Sequence, residues 1–274
     1  MIIDAHVHVF YNLIKIPEDA SAKEFMKRGA AWFEYILAVA GDAGIDRLCI
    51  LGEPPSRLTL NAHKEAGPNG LLLYLLDRYP DNILGGFPRI NPNNREAALL
   101  EMEKCFKNKK VIGVKVGGTS GCPGSLKADS PKYKPVMEKL HELDALMLMH
   151  AWNKTTGNYE EESTPFEVAE MAKKFPCVKI IMAHLSGANY DGILAIAPHK
   201  NIFVDISGGY PEAGFLEWAV DILGPERIIF GSDATGRDFS VQMAKVTGAD
   251  LSDDIKSMIL GENMLRILGD RIRI

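Results

Sequence analysis

The sequence has few of the features that mark secreted, membrane-spanning or nucleic-acid-binding proteins. Its four cysteines are widely spaced and form no C-x-x-C pair, which argues against a disulfide framework and favours free thiols in a reducing compartment. The longest apolar runs, such as LLLYLL and ALMLMHAW, are far too short to cross a bilayer, and no positively charged segment precedes an apolar one at the N-terminus. We therefore expect a cytoplasmic protein with no membrane partner.

The charge balance is also unremarkable in sign and distribution. The 31 basic and 36 acidic side chains give a net charge of −5, and there is no basic run of the kind that binds nucleic acid. No linker rich in serine, glycine or proline divides the 274 residues, and 46% of them are hydrophobic. This composition favours a single domain over residues 1–274 with a sizeable core. We expect the protein to act on a small molecule and not to bind nucleic acid.

The chain repeats a short apolar, β-branched run followed by a polar loop and a longer helical stretch. Such alternation predicts βαβ units and a parallel sheet, and eight repeats predict closure into an α/β (β/α)₈ TIM barrel, with an open doubly wound sheet as the alternative. The C-terminal segment LSDDIKSMILGENMLRILG predicts a helical extension. The predicted strands are Ile2–Val9, Arg47–Leu51, Ile83–Arg89, Val111–Val116, Ala145–His150, Val178–His184, Ile202–Ile206 and Arg227–Asp233; predicted helices include Ala22–Ala40, Arg95–Phe106, Pro165–Phe175 and Glu212–Leu223.

The first predicted strand, MIIDAHVHVF, contains three polar side chains among strand-forming residues. Asp4, His6 and His8 are spaced two apart, so on a strand they point to the same face. Burying a polar group without a hydrogen-bond partner lowers the free energy of unfolding by about 1–3 kcal/mol. We therefore expect these three side chains to have partners.

Other predicted strands also end in polar residues. His150 ends the fifth run, His184 the sixth and Asp233 the eighth. Each has a simpler interpretation alone: a hydrogen-bonded core histidine, a helix cap at His184, or a helix N-cap at Asp233. Because strand ends meet at the mouth of a barrel, their joint placement predicts an open catalytic site for a divalent metal with nitrogen and oxygen ligands.

These residues resemble those of the amidohydrolase superfamily of metal-dependent TIM-barrel hydrolases. The resemblance lies in DAHVH, His150, His184 in AHLSG and Asp233 in GSD, and it spans essentially the whole chain. RINP at 89–92 and GENMLRIL near the C-terminus are similar to the amidohydrolase-related branch, which includes aminocarboxymuconate-semialdehyde decarboxylase. The resemblance implies that His6, His8, His150 and Asp233 bind the metal. His184 would then be a further ligand, polarise substrate or shuttle a proton.

Two further residues have expected roles near the metal. Asp4 shares the face of His6 and His8 but lies deeper, where it would hydrogen-bond to the ligands without touching the ion. Lys115 in VIGVKVGG would point into the barrel if its β-branched neighbours face the helices. Some superfamily members carry a carboxylated lysine there that bridges two metals. We expect one divalent ion, with Zn²⁺ as the first choice and Mn²⁺ or Fe²⁺ as alternatives.

Three functions remain open at this point. The first is hydrolysis of an amide, ester or lactone-type bond, in which Asp233 takes a proton from the attacking water and His184 stabilises the oxyanion. The second is non-oxidative decarboxylation of a small unsaturated or aromatic acid, with a proton supplied by His184. The third is a non-catalytic metal-binding barrel. Arg57, Arg89 and Arg237 lie in or beside mouth loops and are candidates to bind a substrate carboxylate.

The sequence leaves the oligomeric state open. The helix predicted at 22–40 includes Trp32, Phe33 and Tyr35, which either pack on the barrel or form a subunit interface, so a homo-oligomer is one option.

Overall fold

A computed structural model describes residues 1–9, 20–52, 66–117, 125–208 and 212–271. Within these ranges eight strands alternate with helices along the chain, in agreement with the prediction. The strands are β1 (Ile3–His8), β2 (Arg47–Leu51), β3 (Ile83–Phe87), β4 (Gly113–Val116), β5 (Leu146–Met149), β6 (Ile180–Met182), β7 (Ile202–Asp205) and β8 (Ile228–Ile229). Several strands are shorter than the predicted runs, so Arg89, His150, His184 and Asp233 lie just beyond their strands, in the connecting segments.

The strands form two parallel sheets in the orders β1-β2-β3 and β4-β5-β6-β7-β8. Isolated bridges join the sheets on both sides: Gly86 pairs with Val111 between β3 and β4, and Val7 pairs with Ala234 beyond β8. Within the described residues, neither seam has a continuous ladder of backbone hydrogen bonds. A few such bonds join the two sheets at each seam. At the second seam the amide of Asp233 donates to the carbonyl of His6 at 2.8 Å. This bond places the segment after β8 directly beside the end of β1.

Helices follow the strands and cover the outside of the barrel. They are α1 (Ala22–Asp42), α2 (Gly70–Arg78), α3 (Arg95–Cys105), α4 (Lys134–Glu142), α5 (Pro165–Lys174), α6 (Tyr190–Ile196), α7 (Phe215–Leu223), α8 (Phe239–Thr247), α9 (Asp253–Ser257) and α10 (Asn263–Leu268). α7 begins three residues after the predicted Glu212, because Gly214 adopts φ 78° and cannot belong to a right-handed helix. No helix in the described part of the chain is long and apolar enough to cross a membrane.

The core has two layers, as expected for a closed sheet covered by helices. Alternate strand residues fill the barrel interior, where Ile3, Phe87 and Leu148 are buried with Met264 and Ile267 of α10. The C-terminal helix therefore contributes to the interior core. The opposite faces of the strands pack against the helices in a larger cluster.

α1 illustrates how the outer layer forms. Ser21 caps it by accepting a hydrogen bond from the amide of Glu24 at 3.2 Å. Phe33 is fully buried in the outer core, whereas Tyr35 is 58% exposed and stacks on Trp32 with ring centroids 5.2 Å apart.

Candidate metal centre

Two histidines and one carboxylate meet at the seam between β1 and β8. The Oδ1 atom of Asp233 lies 3.6 Å from Nε2 of His6 and 3.4 Å from Nε2 of His8. One ligand atom from each of the three residues lies within 4.8 Å of the other two. This is the spacing expected of side chains that share a metal ion, and the side chains come from opposite ends of the sequence.

His150 and His184 form a second pair next to this cluster. Nε2 of His184 lies 2.9 Å from Nδ1 of His150, and the ring centroids of His184 and His6 are 5.4 Å apart. The structure therefore brings together all four histidines that the sequence places at strand ends.

An unusual left-handed turn positions His184 after β6. His184, Leu185 and Ser186 have φ values of 74°, 39° and 63°, and Gly187 and Ala188 continue the turn at 67° and 58°. Left-handed backbone costs roughly 1–2 kcal/mol for each residue with a Cβ atom, so five in succession are rare. Residues held this way cluster at functional sites.

A glycine permits the close approach of the next segment to this turn. Gly208 has φ 60°, and a Cβ atom there would lie 2.6 Å from Nδ1 of His184. Any other residue at this position would push the imidazole out of the site.

Asp205, at the end of β7, contacts both His6 and the backbone of His184. It is not among the residues that the sequence predicted for the site. Its Oδ2 lies 2.8 Å from Nδ1 of His6, and its Oδ1 accepts hydrogen bonds from the amides of His184 and Ser207, each at 3.0 Å. The Ser207 hydroxyl also donates to Oδ1. Because an ionised carboxylate only accepts, Nδ1 of His6 carries the proton and its Nε2 lone pair faces Asp233.

Asp4 and Lys115 are both fully buried close to the histidines. Oδ1 of Asp4 accepts from the amides of His6 and Ser232 at 3.0 and 2.9 Å, so Asp4 ties β1 to the segment after β8 beneath the histidines. Lys115 is fully buried, and its Nζ lies 3.4 Å from Nε2 of His6. Burial, reinforced by the positive charge of Arg89, lowers the pKa of Lys115 to about 7.

The three candidate arginines have different environments. Arg89 is 9% exposed, and its Nη1 donates to the carbonyl of Gly117 at 2.9 Å. The side chain of Asn69 holds the Arg89 backbone by accepting from its amide at 2.7 Å and donating to its carbonyl at 3.1 Å. Arg237 is exposed in the turn after Asp233. Arg57 lies outside the described residues, as does most of the long loop that contains it.

The electrostatics of the site favour neutral imidazoles beside an ionised carboxylate. Burial lowers the pKa of His8 to about 4 and that of His184 to about 3, and it lowers the pKa of His150 well below its usual value. Burial alone would raise the pKa of Asp233, but the hydrogen bond from His8 and the nearby imidazoles lower it overall. Metal binding requires these protonation states, so the donor set fits a divalent ion.

The same pKa shifts predict that acid destabilises the metal-free protein. Between pH 6.5 and about 4, the unfolded chain protonates histidines that stay neutral in the fold, so the free energy of unfolding falls as pH is lowered. Asp4 acts in the opposite direction, because burial raises its pKa to about 7 and the fold retains that proton. Three histidines outweigh one carboxyl group, and each net proton contributes up to about 1.4 kcal/mol per pH unit.

Urea denaturation of chelator-treated protein at several pH values measures this dependence. A midpoint that stays constant from pH 7 to 5 would contradict the prediction. Replacing the exposed His141 with glutamine is the matched control and should leave the profile unchanged.

A model of the amidohydrolase family matches residues 3–269. The chain belongs to the amidohydrolase family. It is therefore an enzyme of the metal-dependent amidohydrolase superfamily, as the histidine and aspartate pattern predicted. The sequence matches none of the curated proteins.

Solved structures of low sequence identity share the amidohydrolase barrel over essentially the whole chain. A TIM-barrel protein from Bordetella bronchiseptica has a TM-score of 0.74, 16% identity and 99% coverage of both chains. The 5-carboxyvanillate decarboxylase of Sphingomonas paucimobilis has a TM-score of 0.69 and 16% identity, covering 97% of this chain and 98% of that one. A dihydroxybenzoic acid decarboxylase from Polaromonas, with bound manganese and the inhibitor 2-nitroresorcinol, has a TM-score of 0.71 and 16% identity, covering 100% and 99%. These similarities confirm the TIM-barrel fold.

Proposed function

We propose that His6, His8, His150 and Asp233 hold one divalent ion, with His184 beside it. The observation that carries this proposal is the convergence of the ligand atoms of His6, His8 and Asp233 within 4.8 Å, next to the His150–His184 pair. Zn²⁺ is the ion expected from the ligand types, and the manganese in the Polaromonas enzyme makes Mn²⁺ the first alternative. Such an ion would polarise a bound carbonyl or carboxylate and lower the pKa of water.

A carboxylate-bearing substrate matches the charges around the site. Arg89 is nearly buried, and its backbone pairs with that of the fully buried Lys115, so two basic residues lie side by side next to the site. A carboxylate bound near these residues would be attracted by their positive charge. The planar guanidinium of Arg89 can bind a carboxylate through two parallel hydrogen bonds. The Asn69 side chain fixes the Arg89 backbone by accepting a hydrogen bond from its amide.

The reaction that we propose for this substrate is non-oxidative decarboxylation, the second of the three sequence hypotheses. The C–C bond to the carboxylate breaks, carbon dioxide leaves, and the electron pair that stays on the substrate carbon forms a C–H bond with an incoming proton. We assign delivery of that proton to His184. A bound carboxylate beside the ring would raise its pKa and favour proton uptake. Two of the solved structures with this fold are decarboxylases of substituted benzoates.

Hydrolysis is the second candidate, and the ionisation of Asp233 favours it. A carboxylate with a lowered pKa, held between two histidines, is available to accept a proton from water and pass it to a leaving group. The Nδ1 atom of His184 lies 3.0 Å from the Ser207 hydroxyl, which itself donates to Asp205. His184 therefore keeps its proton on Nδ1 and presents an unprotonated Nε2 to the site. This tautomer can take up and transfer a proton at Nε2, but it has no N–H there to stabilise an oxyanion.

One experiment separates the two reactions. Protein loaded with Zn²⁺ or Mn²⁺ is incubated with carboxyl-labelled hydroxybenzoates and, separately, with esters and lactones of small acids in ¹⁸O-labelled water. We expect labelled carbon dioxide and a product with one solvent-derived proton. Incorporation of ¹⁸O into product without carbon dioxide release would reject decarboxylation in favour of hydrolysis.

A further inference from the structure

Glu162 is a fully buried carboxylate in the segment between β5 and α5, and neither the metal cluster nor the proposed reaction uses it. Its Oε1 accepts a hydrogen bond from Nζ of Lys154 at 2.7 Å, and its Oε2 accepts from the amide of Tyr159 at 2.9 Å. Oε1 also lies 3.9 Å from Nε2 of His150. The carboxylate is therefore held in one position next to the edge of His150 that faces away from His184.

The hydrogen-bond network determines which nitrogen of His184 carries a proton. Ser207 donates its hydroxyl hydrogen to Asp205, so it can only accept from Nδ1 of His184 at 3.0 Å. His184 is then protonated on Nδ1, and its Nε2 presents a lone pair to Nδ1 of His150, 2.9 Å away.

His150 has two ways to respond to this lone pair. With the proton on Nδ1 it donates to His184, but its Nε2 lone pair then faces the Glu162 carboxylate, which is electrostatically unfavourable. With the proton on Nε2 it faces Glu162 favourably, and the lone pairs of His150 Nδ1 and His184 Nε2 point at each other. A cation bound at Nδ1 of His150 removes that repulsion. In the described part of the chain, Nε2 of His150 is buried and has no hydrogen-bond partner.

We propose that Glu162 is a positioning residue that keeps the proton of His150 on Nε2 and so leaves Nδ1 free to bind the ion. This inference rests on the proposed metal site. Glu162 would do for His150 what Asp205 does for His6, because an outer carboxylate fixes the tautomer of a ligating imidazole. Lys154 and the amide of Tyr159 hold the carboxylate at the distance where it acts on His150 through its charge.

The test compares Glu162→Gln with the wild type and with Glu160→Gln, an exposed glutamate two residues away. Long-range ¹H–¹⁵N spectra of metal-free protein report the tautomer of His150, assigned by the signals that His150→Gln lacks. We expect a smaller Nε2–H fraction in Glu162→Gln than in the wild type, and Zn²⁺ binding about 10–100-fold weaker by chelator competition. Glu160→Gln should match the wild type in both measurements.

A second variant separates the effect of the Glu162 charge on His150 from the effect of its ion pair with Lys154 on the loop. Lys154→Met removes the ion pair but keeps the carboxylate beside His150, so Zn²⁺ binding should weaken less than in Glu162→Gln. Equal weakening in the two variants, or an unchanged tautomer in Glu162→Gln, would overturn the proposal. If Glu162→Gln does not fold, Glu162→Asp provides the comparison by withdrawing the charge from His150. If the wild type binds no Zn²⁺, the proposed function fails, whereas the tautomer comparison still decides the role of Glu162.

Discussion

Asp233→Asn is expected to weaken Zn²⁺ binding by at least about 100-fold and to lower turnover by about 10²–10⁴-fold at saturating metal. The carboxylate supplies the negative charge of the cluster and lies 3.4–3.6 Å from two imidazoles. The amide is nearly isosteric but carries no charge and cannot accept a proton from water or substrate. Chelator competition gives the dissociation constant of the ion, and carbon dioxide release gives the rate.

Asp238→Asn is the matched control for this variant. Asp238 lies five residues further along the chain and caps α8 by accepting from the amide of Val241 at 3.1 Å. Asparagine caps helices about as well as aspartate, so metal binding and turnover should remain unchanged. An Asp233→Asn protein that binds metal and turns over at nearly the wild-type rate would exclude Asp233 from the site chemistry.

Asp205→Asn is expected to have the second-largest effect, on both metal affinity and stability. The asparagine oxygen can still accept from the two backbone amides, but its NH₂ group would face Nδ1 of His6 and favour the other tautomer of that ring. We expect Zn²⁺ binding to weaken about 10–100-fold. Loss of buried charge-assisted hydrogen bonds should lower the free energy of unfolding by about 1–3 kcal/mol.

Both effects of Asp205→Asn can be measured independently, by chelator competition and by urea denaturation of the metal-free protein. The exposed Asp221→Asn on α7 is the control and should match the wild type in both. If Asp205→Asn binds Zn²⁺ as tightly as the wild type, the carboxylate does not set the tautomer of His6.

The part of the site that sequence predicts best is the part that follows strand periodicity. His6 and His8 are two residues apart on one strand, so both are buried on the side that meets Asp233. His150 and His184 each follow an apolar run, and a barrel brings such positions together whatever their separation along the chain. The joint position of these residues could therefore be predicted without knowing any loop conformation.

Residues that act through other residues were harder to predict. Asp205 lies one residue before the end of the predicted strand Ile202–Ile206, and only the three-dimensional contacts show that it lies next to His6. A carboxylate so near a predicted strand end is the signal that could have identified it. Glu162 has no such signal, because a loop of 15 residues between β5 and α5 brings it back to His150. The conformation of that loop depends on tertiary contacts, which a single sequence does not reveal.

The left-handed turn at 184–188 has a consequence for engineering this enzyme. Four of its five residues carry a Cβ atom in backbone space that glycine occupies freely, so the native state gives up folding energy at this turn. Glycine at an outer position such as Ala188 would release that strain and also loosen the backbone that positions the His184 imidazole. Given the role that we propose for His184, we expect glycine at this turn to raise thermal stability and lower turnover, so a thermostable variant is better sought elsewhere on the barrel.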